Sequence, residues 1–248
     1  MFSRRPKTET LIKTTPGKIG SASQPTSTSN RYTLGSGEKR GVNPGHWQTK
    51  SLCLPIIHDV FNNLKLTKYY ILDLSTPRSK TMQLFQQWPC NYRLFDLYTE
   101  IIKPYKDDYL DLQSFREIFD FPHPYDYQLD LVILWDLLSY ISRDNIIHFM
   151  DFISNYSHEG TLLYFINSSN QYISKEPSQF TLSSENIISC TNYSNDRSHP
   201  SPRYSTRLLA DLMPCFEMYK LSMLQNDTIE HLCIFEEYRK PPKVGLIR

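Results

Sequence analysis

The chain alternates between short, nearly unbroken apolar runs and stretches whose apolar residues recur at helical spacing. One run is Tyr69-Tyr70-Ile71-Leu72-Asp73-Leu74, and another is Leu94-Phe95-Asp96-Leu97. Between them, Thr81, Leu84, Phe85 and Trp88 fall on one face of a helix of about three turns. A strand buried on both faces of a parallel sheet reads as a continuous apolar run, so residues 69–97 predict its opening β-α-β unit. Ser75 or Thr76 is placed to cap the helix, and Pro77 suits its first position. In an open parallel sheet, ligands bind beyond the carboxyl ends of the strands, where Asp73 and Asp96 fall.

The pattern extends on both sides of this unit. Upstream, Ile56, Ile57, Val60, Phe61 and Leu64 share a helical face. Downstream, residues 98–105 predict a helix that stops near Pro104. Residues 106–128 are harder to place: Tyr109-Leu110-Asp111-Leu112 is the strand candidate, residues 113–119 fit a short helix, and Pro122-His123-Pro124-Tyr125 punctuates the chain. The run Leu129-Asp130-Leu131-Val132-Ile133-Leu134-Trp135 predicts a second central strand. Residues 143–157 predict a helix burying Ile146, Ile147, Met150 and Ile153, with Gly160 closing the connection into a strand over 160–165. Residues 167–203, rich in Ser, Asn and Tyr, are too long for a plain connection and read as a lid over a site or as an insertion. Ser205 is placed to cap a helix that buries Leu208, Leu209 and Leu212. Residues 217–224 and 229–236 then pair as a hairpin around Gln225-Asn226-Asp227.

Composition divides the chain in two. Residues 1–50 hold nine Lys or Arg against two Glu, a net +7, while the remainder holds 18 basic against 24 acidic residues, a net −6. Residues 1–45 carry few large apolar side chains and cannot bury enough surface to offset the entropy of ordering. They read as a disordered basic tail, either solvated or touching nucleic acid or an acidic partner, with 46–238 as the folded domain and 239–248 as a second tail. Trp47 is placed either to cover a pocket or to anchor the chain to the domain surface. The mildly acidic body gives no indication of nucleic-acid binding. Five cysteines without a Cys-x-x-Cys pair, and seven histidines without a His-x-x-x-His pair, argue against a metal site or a disulfide framework. Reduced thiols, no apolar run near the roughly 18 residues of a membrane span, and no signal peptide point to a cytoplasmic protein without membrane attachment. Gly-x-Ser-x-Gly and P-loop motifs are absent.

With these residues in view, a resemblance becomes specific. Ile71-Leu72-Asp73-Leu74 and its turn resemble the first motif of the class I S-adenosylmethionine (SAM)-dependent methyltransferases. Leu94-Phe95-Asp96-Leu97 with Thr99-Glu100 is similar to the end of their second strand, residues 129–138 to their fourth, and Gly160-Thr161-Leu162-Leu163-Tyr164-Phe165 to their fifth. The resemblance covers roughly residues 50–238. It implies an α/β Rossmann-like fold: a mostly parallel seven-stranded sheet with a C-terminal antiparallel hairpin and helices on both faces. One departure stands out. The family's first motif carries glycines after the strand, so that backbone can approach the methionyl end of the cofactor. This chain has Ser75-Thr76-Pro77-Arg78-Ser79, and between His46 and Val244 its one glycine is Gly160.

The resemblance implies SAM as cofactor, with Asp73 ordering the turn and orienting the amino group. Asp96 would hold the ribose hydroxyls, and Ser75 and Trp135 would line the site. Arg78 has no counterpart in the family pattern; at the start of a helix it is placed either to clamp the methionyl carboxylate or to make the site prefer phosphate. Asp136, at the exit of the fourth strand, is placed for a general base, with Tyr140 one turn on. Each has a plainer alternative: Asp96 as the start of a helix, Arg78 in solvent, Trp135 packed and Asp136 capping. Trp135-Asp136-Leu137-Leu138 is not the Asn/Asp-Pro-Pro-Tyr/Phe signature of amino-group methyltransferases. Two functions follow: a divergent methyltransferase with an unknown methyl acceptor, or a methyltransferase-fold pseudoenzyme serving as a binding or regulatory module for a protein partner.

Overall fold

A computed structural model describes residues 47–64, 68–105, 108–119, 121, 128–184, 187–193, 199–224 and 227–237. The expected tails, His46, the Pro122–Tyr125 punctuation and the Gln225-Asn226 tip of the hairpin lie outside them. Among the described residues, β1 (Trp47–Leu52) leads into α1 (Pro55–Leu64), followed by β2 (Tyr69–Asp73), α2 (Ser79–Phe85) and β3 (Cys90–Leu94). A π-helical turn at Tyr98–Ile102 precedes α3 (Leu112–Phe119) and β4 (Leu129–Trp135). A 3₁₀ turn at Leu137–Tyr140 leads to α4 (Arg143–Ser154) and β5 (Ser157–Ser168). Then come β6 (Tyr172–Ile173), β7 (Gln179–Ser184), β8 (Ile187–Tyr193), β9 (His199–Pro200), α5 (Thr206–Leu212), β10 (Phe216–Leu224) and β11 (Thr228–Phe235).

The main sheet has six strands in the order β10-β11-β5-β4-β2-β3. β3, β2, β4 and β5 are parallel, β11 is antiparallel to β5, and β10 is antiparallel to β11 and so runs with the rest. The α/β architecture, the mostly parallel sheet and the terminal hairpin agree with the sequence. The strand count differs: among the described residues the sheet has six strands where seven are expected. Tyr109-Leu110-Asp111-Leu112 forms no strand, because its backbone is satisfied elsewhere. Leu110 N–H donates to Asn145 Oδ1 at 3.0 Å, and Asn145 Nδ2 donates to the Asp108 carbonyl at 3.0 Å. Leu110 N–H is thus held by a side chain of α4, the Asp111 carbonyl accepts from Phe115 N, and Leu112 already opens α3.

Three local differences matter for the site. α2 begins at Ser79 with Arg78 as its extended cap residue and no side-chain cap, so neither Ser75 nor Thr76 caps it. Ser75 N–H is drawn back to Asp73 (3.0 Å), the chain bends at Ser75 and Arg78 is extended, so Pro77 precedes the helix and does not take its first position. Gly160 does not end a connection; it sits inside β5 at φ +96°, where the pairing with β4 slips between Leu129 and Leu131. The long segment after β5 is ordered into sheet: β7 and β8 join β1 in a three-stranded sheet, order β1-β8-β7, and β6 pairs with β9. Trp47 thus opens an edge strand.

Both faces of the main sheet are covered, as near-continuous apolar strands require. One face carries α3, α4 and α5, with Phe115, Phe119, Phe149, Phe152 and Phe165 buried together. The other carries α1, α2 and the small sheet, joining Phe61, Phe85 and Trp88 to Phe180, Leu182 and Ile188. α1 has no local cap. Glu230 of β11, fully buried, accepts from Ile56 N (3.2 Å), Ile57 N (2.9 Å) and the Tyr164 hydroxyl (3.0 Å). A carboxylate from a distant strand thereby satisfies the free N–H groups of the first turn. No helix among the described residues is long and apolar enough to cross a membrane.

Candidate functional site

Chain order reverses between β2 and β4. β3 lies on one side of β2, and the chain then returns to place β4 on the other. Such a switch point opens a crevice at the carboxyl ends of the two strands. The register puts Asp73 beside Ile133, with Trp135 and Asp136 just beyond. A cleft of about 150 Å³ lies here, bordered by Ser75, Thr76, Trp135 and Asp136, by Tyr98, Thr99 and Lys103 of the turn after β3, and by residues 176–179.

Asp73 is fully buried beneath the cleft and is surrounded by donors. Its Oδ1 accepts from Ser75 N (3.0 Å) and Trp135 Nε1 (3.0 Å), and its Oδ2 from the Tyr92 hydroxyl (2.7 Å). Burial pushes its carboxyl above the ordinary range, and the hydrogen bonds pull it partly back. Burial, reinforced by the charge of Asp73, pushes the Tyr92 phenol up in turn.

Trp135 occupies left-handed backbone at φ +51°. For a residue with a bulky side chain this costs about 1–2 kcal/mol and persists only where the surroundings hold it. Three contacts do so: the indole N–H to Asp73, a stack on Phe180 at 4.6 Å and 10°, and an edge contact with Tyr164 at 5.8 Å and 82°. Trp135 is buried, so its ring faces Phe180 of the small sheet.

That sheet is fastened at several points. Asp136 Oδ2 accepts from Ser178 N at 2.9 Å, while Oδ1 is out of solvent with no hydrogen-bond partner among the described residues. Burial lifts this carboxyl to about 6, with the Ser178 contact opposing. The Tyr140 hydroxyl lies 3.1 Å from the Ser174 carbonyl oxygen and 3.0 Å from that of Glu176, so its one proton serves both. Burial first, then the charge of Asp136, pushes its phenol up. Lys103 Nζ reaches Glu176 Oε1 at 3.5 Å. Leu182 N donates to Thr81 Oγ1 of α2 at 3.0 Å. Residues 174–178 therefore form a strap across the crevice, continuous with β7.

Of the residues singled out from sequence, the structure brings Ser75, Trp135 and Asp136 to the cleft, with Asp73 underneath. Tyr140 stands behind them, its hydroxyl engaged by the strap. Asp96 and Arg78 do not border the cleft. Asp96 Oδ1 accepts from Thr99 N (3.0 Å) and its carbonyl from Glu100 N (3.0 Å), so it starts the turn that follows. Arg78 Nε is buried without a partner among the described residues. Sequence reasoning missed Tyr92, Lys103, Glu176, Ser178 and Phe180. One signal was available: Phe180 and Leu182 alternate with polar residues, the period of a half-buried strand.

No protein-family model matches the chain, and no curated protein matches its sequence. Solved structures do resemble it in fold. A SAM-dependent methyltransferase from Clostridium acetobutylicum is 13% identical, with a TM-score of 0.43 over 73% of this chain and 89% of that one. The DhpI–SAH complex is 12% identical, at 0.42 over 73% and 83%. The N-methyltransferase NodS from Bradyrhizobium japonicum is 10% identical, at 0.39 over 73% and 96%. At these identities and scores the likeness concerns the general fold alone. The Rossmann-like α/β architecture rests on this chain's own strand order and directions.

Proposed function

We propose that this protein is a methyltransferase-fold module that does not turn over SAM and acts by binding a partner or a small ligand. One observation carries the reading: the crevice where SAM would lie is crossed by the protein's own strap, which leaves about 150 Å³. Pockets for drug-sized ligands start at about 300 Å³. The groups assigned to the cofactor are engaged as well. Asp73 has both oxygens occupied, Asp96 holds its own turn, and Trp135 is covered by Phe180. The turn after β2 carries Cβ atoms at each of residues 75–79, where close backbone approach would need glycine. These residues do not fit SAM.

A second reading is a SAM-dependent methyltransferase whose strap lifts, acting on an acceptor still to be identified. It is favoured by Asp136, which stands at the crevice with a carboxyl poised near 6 and one oxygen unused. Thermal unfolding of the full chain with SAM or S-adenosylhomocysteine at about 1 mM separates the two. A ligand with a Kd of about 10 µM would stabilise the fold by about 2.7 kcal/mol at that concentration, which is readily measured. The binding-module reading expects no shift with either compound; a shift of that size with either would overturn it.

A further inference from the structure

Four buried polar atoms lack a hydrogen-bond partner among the described residues: His58 Nε2, Arg78 Nε, Asp136 Oδ1 and His231 Nε2. Of these residues, Asp136 borders the cleft between β2 and β4. A carboxylate can accept about four hydrogen bonds. Asp136 receives one from the strap, on Oδ2 from Ser178 N, and Oδ1 receives none.

We propose that this cleft is a binding site for a small molecule bearing an ammonium or guanidinium group, which takes Asp136 in place of the Ser178 N–H. The proposal rests on the reading that SAM does not occupy the crevice, and it names the ligand of that same place. With its carboxyl near 6, Asp136 is mostly ionised at neutral pH, yet the hydrogen bonds that answer it come from Ser178 and its own backbone, and no cation stands against it among the described residues. A cationic donor supplies a full charge and several N–H groups, and charge-assisted hydrogen bonds are about twice as strong as neutral ones. A planar guanidinium can engage both carboxylate oxygens at once, filling the vacancy on Oδ1.

The rest of the lining points the same way. Glu176 brings a second carboxylate to the cleft, and its partner Lys103 stands 3.5 Å away with both side chains well exposed. An exposed ion pair of this kind contributes about 0–1 kcal/mol, so an incoming cation can exchange for Lys103 at little cost. Tyr98 adds an aromatic ring to the wall, which suits a cation. An anion would meet two carboxylates and one ammonium. The volume, about 150 Å³, corresponds to roughly five water molecules. That is the scale of a small amine and not of a nucleoside.

Because ligand and strap compete for Asp136, affinity is coupled to the hold of the strap. Tyr140 fastens the strap at the Ser174 and Glu176 carbonyls. Loosening it raises the population in which Asp136 is open and tightens the apparent affinity by the same factor. Asp136→Asn, which keeps the shape and an acceptor for Ser178, removes the charge that the ligand reads.

The test is calorimetric titration of the full chain with methylguanidine and propylamine, against propionate and propanol as anionic and neutral probes of similar size. The expected result is binding of one or both cations at millimolar Kd or tighter, and none of propionate or propanol. Asp136→Asn should weaken it at least tenfold, and Tyr140→Phe should tighten it severalfold. Glu176→Gln, at an exposed position, serves as a second charge variant should Asp136→Asn fail to fold, and should also weaken binding. The proposal is overturned if neither cation binds wild type or Tyr140→Phe at about 10 mM, if propionate binds as well, or if removing either carboxylate leaves affinity unchanged. SAM titrated into the same samples keeps the two ideas apart. Heat with SAM overturns the binding-module reading whatever the amines do, and silence from the amines alone overturns only the ligand class.

Discussion

His231 should make the fold acid-sensitive, and replacing it should remove that sensitivity. The side chain is fully buried on β11, stacked on Phe165 at 4.6 Å and 9°. Its Nδ1 meets Met218 Sδ at 3.5 Å, and its Nε2 has no hydrogen-bond partner among the described residues. Burial pulls its pKa from 6.5 to about 4. A histidine with a lowered folded pKa contributes stability that is complete above the unfolded value and is lost as pH falls through the folded one. The window here is therefore about 6.5 down to 4. At about 1.4 kcal/mol per pH unit, the loss between about pH 7.5 and about pH 4.5 comes to about 2.5 kcal/mol.

The buried carboxyls Asp73, Asp136 and Glu230 have raised pKa values and act in the opposite direction, gaining stability as pH falls. The wild-type profile is thus a mixture, and the informative quantity is a difference. His231→Phe keeps the ring and its stack and removes the titration. Urea unfolding of both proteins at the two pH values should find the variant's stability relative to wild type rising by about 2.5 kcal/mol at the lower pH. A difference that stays constant to within about 0.5 kcal/mol would refute the reasoning, since the carboxyl contributions cancel between the two proteins.

Gly160→Ala should destabilise by about 1 kcal/mol in thermal melts; a Cβ there meets nothing within 4 Å, so the cost is the backbone's at φ +96°. Glu230→Ala should cost about 3 kcal/mol and abolish slow amide exchange at Ile56 and Ile57, because it strips the α1 N–H groups of their acceptor. Asp96→Ala should cost about 1 kcal/mol, the loss of a cap at Thr99 N, without changing the response to any ligand that binds at the cleft.

What the sequence revealed was what neighbouring residues decide. The central strands were legible because the runs at Tyr69–Asp73 and Leu129–Trp135 are nearly all apolar, as strands covered on both faces must be. The positions of Asp73 and Asp136 were legible because each falls at the end of such a strand. Tyr109-Leu110-Asp111-Leu112 misled because one buried leucine with a side-chain acceptor looks locally like a strand. The small sheet was hidden by its composition: Phe180, Leu182, Ile188 and Cys190 supply its buried positions among Ser, Thr and Asn. The partners at the site were beyond local reading altogether. Tyr92 reaches Asp73 across 19 residues, Ser178 reaches Asp136 across 42, and Glu230 reaches Ile56 across 174. Burial then sets the carboxyl pKa values, and sequence alone does not carry burial.

On the proposed function, the strap and Phe180 stand where SAM would lie. Calorimetric titration of SAM into the wild type and into Phe180→Ala tests it most directly. No heat is expected with wild type at about 1 mM SAM, and at most weak binding once the ring stacked on Trp135 is gone. Micromolar binding of SAM to the wild type, unchanged by Phe180→Ala, would contradict it.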